Sequence, residues 1–198
     1  MVSSKGLMVG LAAALLVAAP AVSSAQQKMV ELTLFGGAYF PTSDEALDAG
    51  DRPATRRSSA ALGGRLAFWG SRSLGVELTA GFSPARALVD ANSGSRFARG
   101  TDLAFGSAKL AFNLAPASKL GVIVSGGVAG LRPGSPLGDQ AEKSTAIGGV
   151  AGLTLRFGVG ENVALRGDAE GYAYSADFGL GKKGTTDLMF SGGLVIAF

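Results

Sequence analysis

Asp168 and Glu170 are the residues of this chain whose spacing could support acid–base chemistry. Two positions apart in an extended segment they share one face, as paired carboxylates must. Arg166 and Arg156 stand close enough in the sequence to offer the same acids a second use, as counter-charges in a poorly hydrated interior. The 198 residues include no His and no Cys. Nucleophile–His catalysis, thiol nucleophiles, His or Cys metal sites, disulfides and Cys-linked lipid anchors are thereby excluded. The reading is therefore non-enzymatic, with no cofactor and no metal. Arg166-Gly167-Asp168 spells an adhesion tripeptide, but it falls inside an extended segment rather than on an exposed loop. Gly179 to Thr185 imitates a phosphate loop, yet its Lys and Thr do not follow the final Gly as that motif requires.

The segments that must position these residues alternate with period two rather than 3.6. Eight are expected: Val30 to Phe40, Ala60 to Trp69, Leu74 to Ser83, Asp102 to Leu114, Lys119 to Leu131, Thr145 to Phe157, Val163 to Tyr174 and Asp187 to Phe198. Their connections alternate too. Short ones (70–73, 115–118, 158–162) interleave with long polar ones (41–59, 84–101, 132–144, 175–186), the asymmetry of an up-and-down transmembrane barrel.

Each segment divides into an apolar and a charged face. Val30, Leu32, Leu34 and Phe40 line one side of the first, and the apolar sets continue through Leu62, Leu66 and Phe68, then Leu74, Val76, Leu78 and Phe82. Leu110, Phe112 and Leu114 follow, then Ile147, Leu153, Leu155 and Phe157, then Val163, Leu165, Ala169 and Ala173. These are assigned to lipid, with Phe68, Phe112, Phe157 and Phe198 at one level as an aromatic girdle. In the fifth segment Leu120, Val122, Val124 and Val128 oppose Ile123, Ala129 and Leu131, so either face could point outward. The opposite faces carry Glu31, Arg65, Glu77, Lys109, Arg156, Arg166, Asp168 and Glu170, with Tyr39, Tyr172 and Tyr174 beside them. Four acids and four bases in a lumen that side chains can fill should pair, giving a plug rather than a selective channel.

The chain ends support export and membrane insertion. Leu7 to Ala19 is an apolar run behind Lys5, and Ser23 and Ala25 offer a cleavage site before Gln26, so residues 1–25 read as a signal peptide and 26–198 as one barrel domain. The chain contains 31 Gly, 47% hydrophobic and 17% charged residues, but no later apolar run suited to a membrane helix. A formal charge of +3 gives no case for nucleic acid. Leu188, Phe190, Gly192, Leu194, Ile196 and Phe198 alternate to the final position. GGVAGL occurs at Gly126 and again at Gly148 with helix-type small-residue spacing, but within strands. Packing over Gly or an old hairpin duplication explains it better than a helix contact.

With these features the chain resembles the small eight-stranded outer-membrane barrels of the OmpA and OmpX type. The resemblance implies an all-β, antiparallel, monomeric barrel in the outer membrane of diderm bacteria, surrounded by lipid and lipopolysaccharide. It also implies that Phe190, Leu194, Ile196 and Phe198 form the signal read by the barrel-assembly machinery. OmpA carries a peptidoglycan-binding domain after its barrel, for which this sequence offers no counterpart. The expected function is a structural role in the envelope with at most a minor small-solute leak, the alternative being an adhesin or ligand-binding barrel acting through its loops. A soluble lipocalin-like barrel is the third reading. Arg52, Arg56, Arg57, Arg86, Arg96, Arg99, Lys143, Lys182 and Lys183 in the long loops could meet lipopolysaccharide phosphates, although Asp44, Glu45, Asp48, Asp51, Asp90 and Asp139 are interspersed with them.

Overall fold

Runs of alternating side chains become stable in a membrane only when every strand edge is paired, and here the sheet closes on itself. The computed structural model describes residues 29–42, 54–56, 58–84, 86–90, 96–100, 102–116, 118–133, 145–177 and 182–198. The expected signal peptide and cleavage after Ala25 lie outside them. The strands are β1 (Val30–Pro41), β2 (Ala54–Arg56), β3 (Ser59–Trp69), β4 (Leu74–Ser83), β5 (Arg86–Asp90) and β6 (Arg96–Gly100), then β7 (Leu103–Asn113), β8 (Leu120–Pro133), β9 (Ala146–Gly158), β10 (Val163–Asp177) and β11 (Lys182–Ala197). Eight form a closed antiparallel barrel in the order β1-β11-β10-β9-β8-β7-β4-β3. The seam joins Glu31 to Ala197 and continues to Pro41 opposite Asp187, and the Phe198 N–H donates to the Val30 carbonyl at 2.9 Å.

The apolar sets face outward as expected. Leu34, Leu62, Leu78, Leu110, Leu155, Leu165 and Leu194 are exposed around the whole circumference, an arrangement water would not support and hydrocarbon does. Phe68, Phe112, Phe157 and Phe198 are all exposed at the rim of the short turns. The fifth segment, now β8, turns Leu120, Val124 and Val128 outward and buries Ile123, Ala129 and Leu131. The two GGVAGL copies occupy adjacent antiparallel strands with inverted facing: Val128 is exposed and Leu131 buried in β8, whereas Val150 is buried and Leu153 exposed in β9. A duplicated hairpin would place its copies two strands apart, so that origin does not hold.

Short turns close the lower rim through local hydrogen bonds. The Gly70 and Ser71 N–H groups donate to the Leu74 carbonyl at 3.0 and 3.2 Å, and the Ser71 Oγ accepts from the Leu74 N–H at 3.0 Å. At the opposite rim the structure departs from the expected loops. β10 runs on to Asp177 and β11 begins at Lys182, so much of the segment 175–186 is paired wall, including Lys182 to Thr185 of the phosphate-loop lookalike. The segment 84–101 contains β5 and β6, which with β2 form a three-stranded sheet in the order β2-β5-β6. That order repeats β3-β4-β7 of the barrel. Three steps outward from Ser83↔Leu103 lead to Arg86↔Gly100, so β5 and β6 keep the pairing frame of β4 and β7.

Inside, close approach requires glycine at particular points. A Cβ on Gly127 would sit 2.0 Å from the Ala108 carbonyl oxygen on β7, while one on outward-facing Gly167 would meet nothing within 4 Å. Gly127→Val is expected to lower the unfolding free energy by about 1–3 kcal/mol or more, with Gly167→Ala near neutral. Urea titration of the purified barrel, followed by heat-modifiable gel mobility, reads both.

Candidate functional site

The inward face of β10 supplies Arg166, Asp168 and Glu170, each two residues from the next and so on the same side of the sheet. Directly across the lumen stands β4, four strands from β10 in either direction round the ring, carrying Glu77. Arg65 on β3 and Lys109 on β7 flank it, with Lys109 in register opposite Glu77. These six residues form one network that spans the barrel. Arg65 Nη1 reaches Asp168 Oδ2 at 3.0 Å and its Nη2 reaches Glu170 Oε2 at 3.0 Å, while its Nε lies 3.7 Å from Glu77 Oε1. Lys109 Nζ meets Glu77 Oε1 at 2.7 Å and also pairs with Glu170. Arg166 bridges Glu77 and Asp168, at 2.8 Å to the latter.

Neutral groups add hydrogen bonds to the network. The Thr154 hydroxyl donates to Asp168 Oδ1 at 2.6 Å, Arg65 Nη2 donates to Ser191 Oγ at 3.0 Å, and the Tyr172 hydroxyl donates to Glu170 Oε2 at 3.1 Å. The Arg65 Cζ lies 4.0 Å from the centroid of the Phe35 ring, adding a cation–π contact. The side chains of Arg65, Lys109 and Asp168 are 0% exposed, so the network is shut off from bulk solvent as well as neutral. Three bases meet three acids.

Arg156 lies outside this network. It is in register opposite Arg166, where like charges repel, and instead pairs with Glu31 on β1 at 2.9 Å. The expectation that Arg156 would neutralise Asp168 and Glu170 is therefore corrected: their partners are Arg65, Lys109 and Arg166. Both carboxylates are engaged by these bases, with side-chain exposures of 0% for Asp168 and 2% for Glu170.

Above the network lies an aromatic layer that the sequence reading did not assemble. Phe35, Tyr39, Phe105, Tyr172 and Tyr174 are buried with Leu103, Leu131 and Met189. Tyr39 packs against Phe105 and Tyr172 with centroids 6.2 Å away in each case. Tyr39 and Tyr174 each donate a hydroxyl to Asp187 Oδ2 at 2.6 Å. Asp187 was legible only as one of the mixed-face residues of the last strand; its parity with Ser191 was the signal that it points inward. Below the network Ala67, Trp69, Ala111 and Ile123 pack together near the short-turn rim. Phe190, Leu194, Ile196 and Phe198 all lie on the outer face of the last strand, exposed to lipid.

The buried polar core, apolar belt and short lower turns are those of a bacterial outer-membrane β-barrel. No protein-family model and no curated sequence matches the chain. Among solved structures it is similar to the outer membrane protein OprG from Pseudomonas aeruginosa, with 15% identity and a TM-score of 0.60 over 87% of this chain and 97% of that one. It is also similar to the outer membrane protein AlkL, with 16% identity and a TM-score of 0.57 over 91% and 95% of the respective chains. The N-terminal β-barrel domain of Pseudomonas aeruginosa OprF gives 18% identity and a TM-score of 0.54 over 87% and 98%. At these identities the likeness is one of fold.

Removing one member of the buried network leaves its partners under-neutralised in a low dielectric. Lys109→Met should destabilise the barrel by about 3–5 kcal/mol, Glu77→Gln similarly. Arg156, 29% exposed in its side chain, is partly screened, and Arg156→Gln should cost about 1 kcal/mol or less. Equilibrium unfolding of the three variants in lipid vesicles tests this ordering.

Proposed function

We propose that this protein is a non-enzymatic structural barrel of the outer membrane whose lumen is plugged. The observation that carries the reading is the buried Arg65–Lys109–Arg166 network with Glu77, Asp168 and Glu170, which ties opposite walls together. A conducting pore needs a continuous wet path, and a filter usually carries one sign of charge; a balanced, buried network supplies neither. The aromatic layer above it adds a second barrier. Any solute leak would require the strap to open.

Planar-bilayer recording tests this. The unmutated protein should give rare, brief events, and Lys109→Met should raise their frequency if it folds. A large, steady, ion-selective conductance from the unmutated protein would overturn the plug and establish a channel.

We further propose that Phe190, Leu194, Ile196 and Phe198 serve the barrel-assembly machinery during insertion. Their common outward face leaves all four open to a partner before lipid covers them. Phe198→Ser should lower the assembled fraction in outer membranes more than Phe112→Ser, since both rings are exposed at the same rim and differ in belonging to the last strand. Equal losses would assign the effect to lipid contact alone.

A further inference from the structure

Where the ionic network meets β3, β4 and β7, three buried polar atoms have no hydrogen-bond partner among the described residues: Arg65 Nε, Thr79 Oγ1 and Ser107 Oγ. Register brings them together. Arg65 is opposite Thr79 and Thr79 is opposite Ser107, so the three stand in one inward row across adjacent strands. Thr79 is two residues from Glu77 on the same face, and Glu77 Oε1 lies 3.7 Å from Arg65 Nε, too far for a direct hydrogen bond. The hydroxyls on the far side of the lumen behave differently: Thr154 on β9, Tyr172 on β10 and Ser191 on β11 all bond to members of the network.

This corner is enclosed. In the inward row above it, Phe105 lies over Gly81 and Phe35 over Gly63, where a Cβ would sit 2.3 and 2.5 Å from the respective rings. The inward row below it holds Ala67, Glu77 and Lys109, and beyond Ser107 the neighbouring strand presents only the methyl group of Ala129. Buried polar groups that lack a protein partner are met by internal water where a site offers two to four such groups. The Arg65 Nε–H only donates, the Glu77 carboxylate only accepts and each hydroxyl does both. Water complements all of them. An anion would be opposed by the Glu77 carboxylate and a cation by Arg65 and Lys109, so the charges select a neutral ligand.

We propose that the β3–β4–β7 corner of the lumen binds ordered water, held by the Thr79 and Ser107 hydroxyls and shared with Arg65 Nε and Glu77. The two hydroxyls thereby serve the network from the side that its own hydrogen bonds leave uncovered. The proposal concerns an enclosed site and is independent of whether the barrel conducts.

The test is oxygen-17 relaxation dispersion on the full mature barrel in detergent, which counts water molecules held far longer than those of the surface, after heat-modifiable mobility has verified folding. The unmutated protein should hold at least one more long-lived water than Thr79→Val with Ser107→Ala, a pair that removes both hydroxyls while keeping the side-chain shape at position 79. Equal counts in the two folded proteins would overturn the proposal. A second measurement stands even if the double variant fails to fold. In a crystal structure of the unmutated barrel grown with bromide, an ordered oxygen without anomalous signal is expected about 2.8 Å from both Thr79 Oγ1 and Ser107 Oγ. A bromide peak at that position would replace the water with an anion site and overturn the proposal, as would a direct Thr79–Ser107 hydrogen bond with no ordered atom between the two hydroxyls.

Discussion

The ionic strap between β10 and β4 is the constraint on which the rest of the barrel depends. Six charged side chains are packed into one cross-section and buried from bulk solvent, so their signs must balance and their geometry must be held by the wall. The wall complies by giving up side chains where long ones arrive. Gly152 on β9 is an instance: a Cβ there would lie 3.2 Å from Glu170 Cγ and 3.0 Å from Ser125 Oγ. Gly63 and Gly81, paired across β3 and β4, likewise leave space for the rings of Phe35 and Phe105. The high glycine content is thus partly the complement of a lumen filled with long and aromatic groups.

The same strap couples the interior to closure of the ring. Arg65 and Asp168 are separated by 103 positions and Arg65 and Glu170 by 105. Such contacts cannot form from a local hairpin; they require β10 to come round opposite β4. Before the ring closes, Glu77 can still meet Lys109 across the β4–β7 pair and Asp168 can meet Arg166 along β10, but the contacts that join β3 and β4 to β10 wait for the ring, and an open edge in hydrocarbon costs several kcal/mol per unpaired backbone group. Neutralisation and edge pairing are therefore completed in one event.

Much of this was legible from alternation alone. Lipid-facing residues, the eight wall strands and the inward charges follow from period two, because a barrel has only two faces and the charged one cannot face lipid. The partner of each charge was not legible, since it depends on order round the ring: Arg156 is close to Arg166 in the sequence yet pairs with Glu31 on β1. Phe105 was missed because its neighbours Ala104 and Gly106 carry no sign of side, whereas Phe35, next to lipid-facing Leu34, was inward by parity but apolar and so did not stand out among the charges. β5 and β6 hid behind Pro84 and the polar residues around 91–95, which read as one long loop. The inward placement of Ile123, Ala129 and Leu131, undecidable from a strand apolar on both sides, is settled by packing with Trp69 below and Phe105 above.

The inverted hexapeptide makes a different point about how the wall holds its frame. Gly126–Leu131 and Gly148–Leu153 present the same six residues to hydrocarbon in one strand and to the lumen in the other, so neither environment selects between their two faces. Sliding either strand by a single position would exchange inside for outside at little cost within the hexapeptide itself. Resistance to that slip comes from beyond it. In β9 a slip would turn Arg156 and Thr154 toward lipid, and in β8 it would drive Val128 into the narrow space beneath the Ala108 carbonyl that Gly127 now occupies. The middle of these strands is indifferent to alignment, and their polar and closely packed flanks act as its detents.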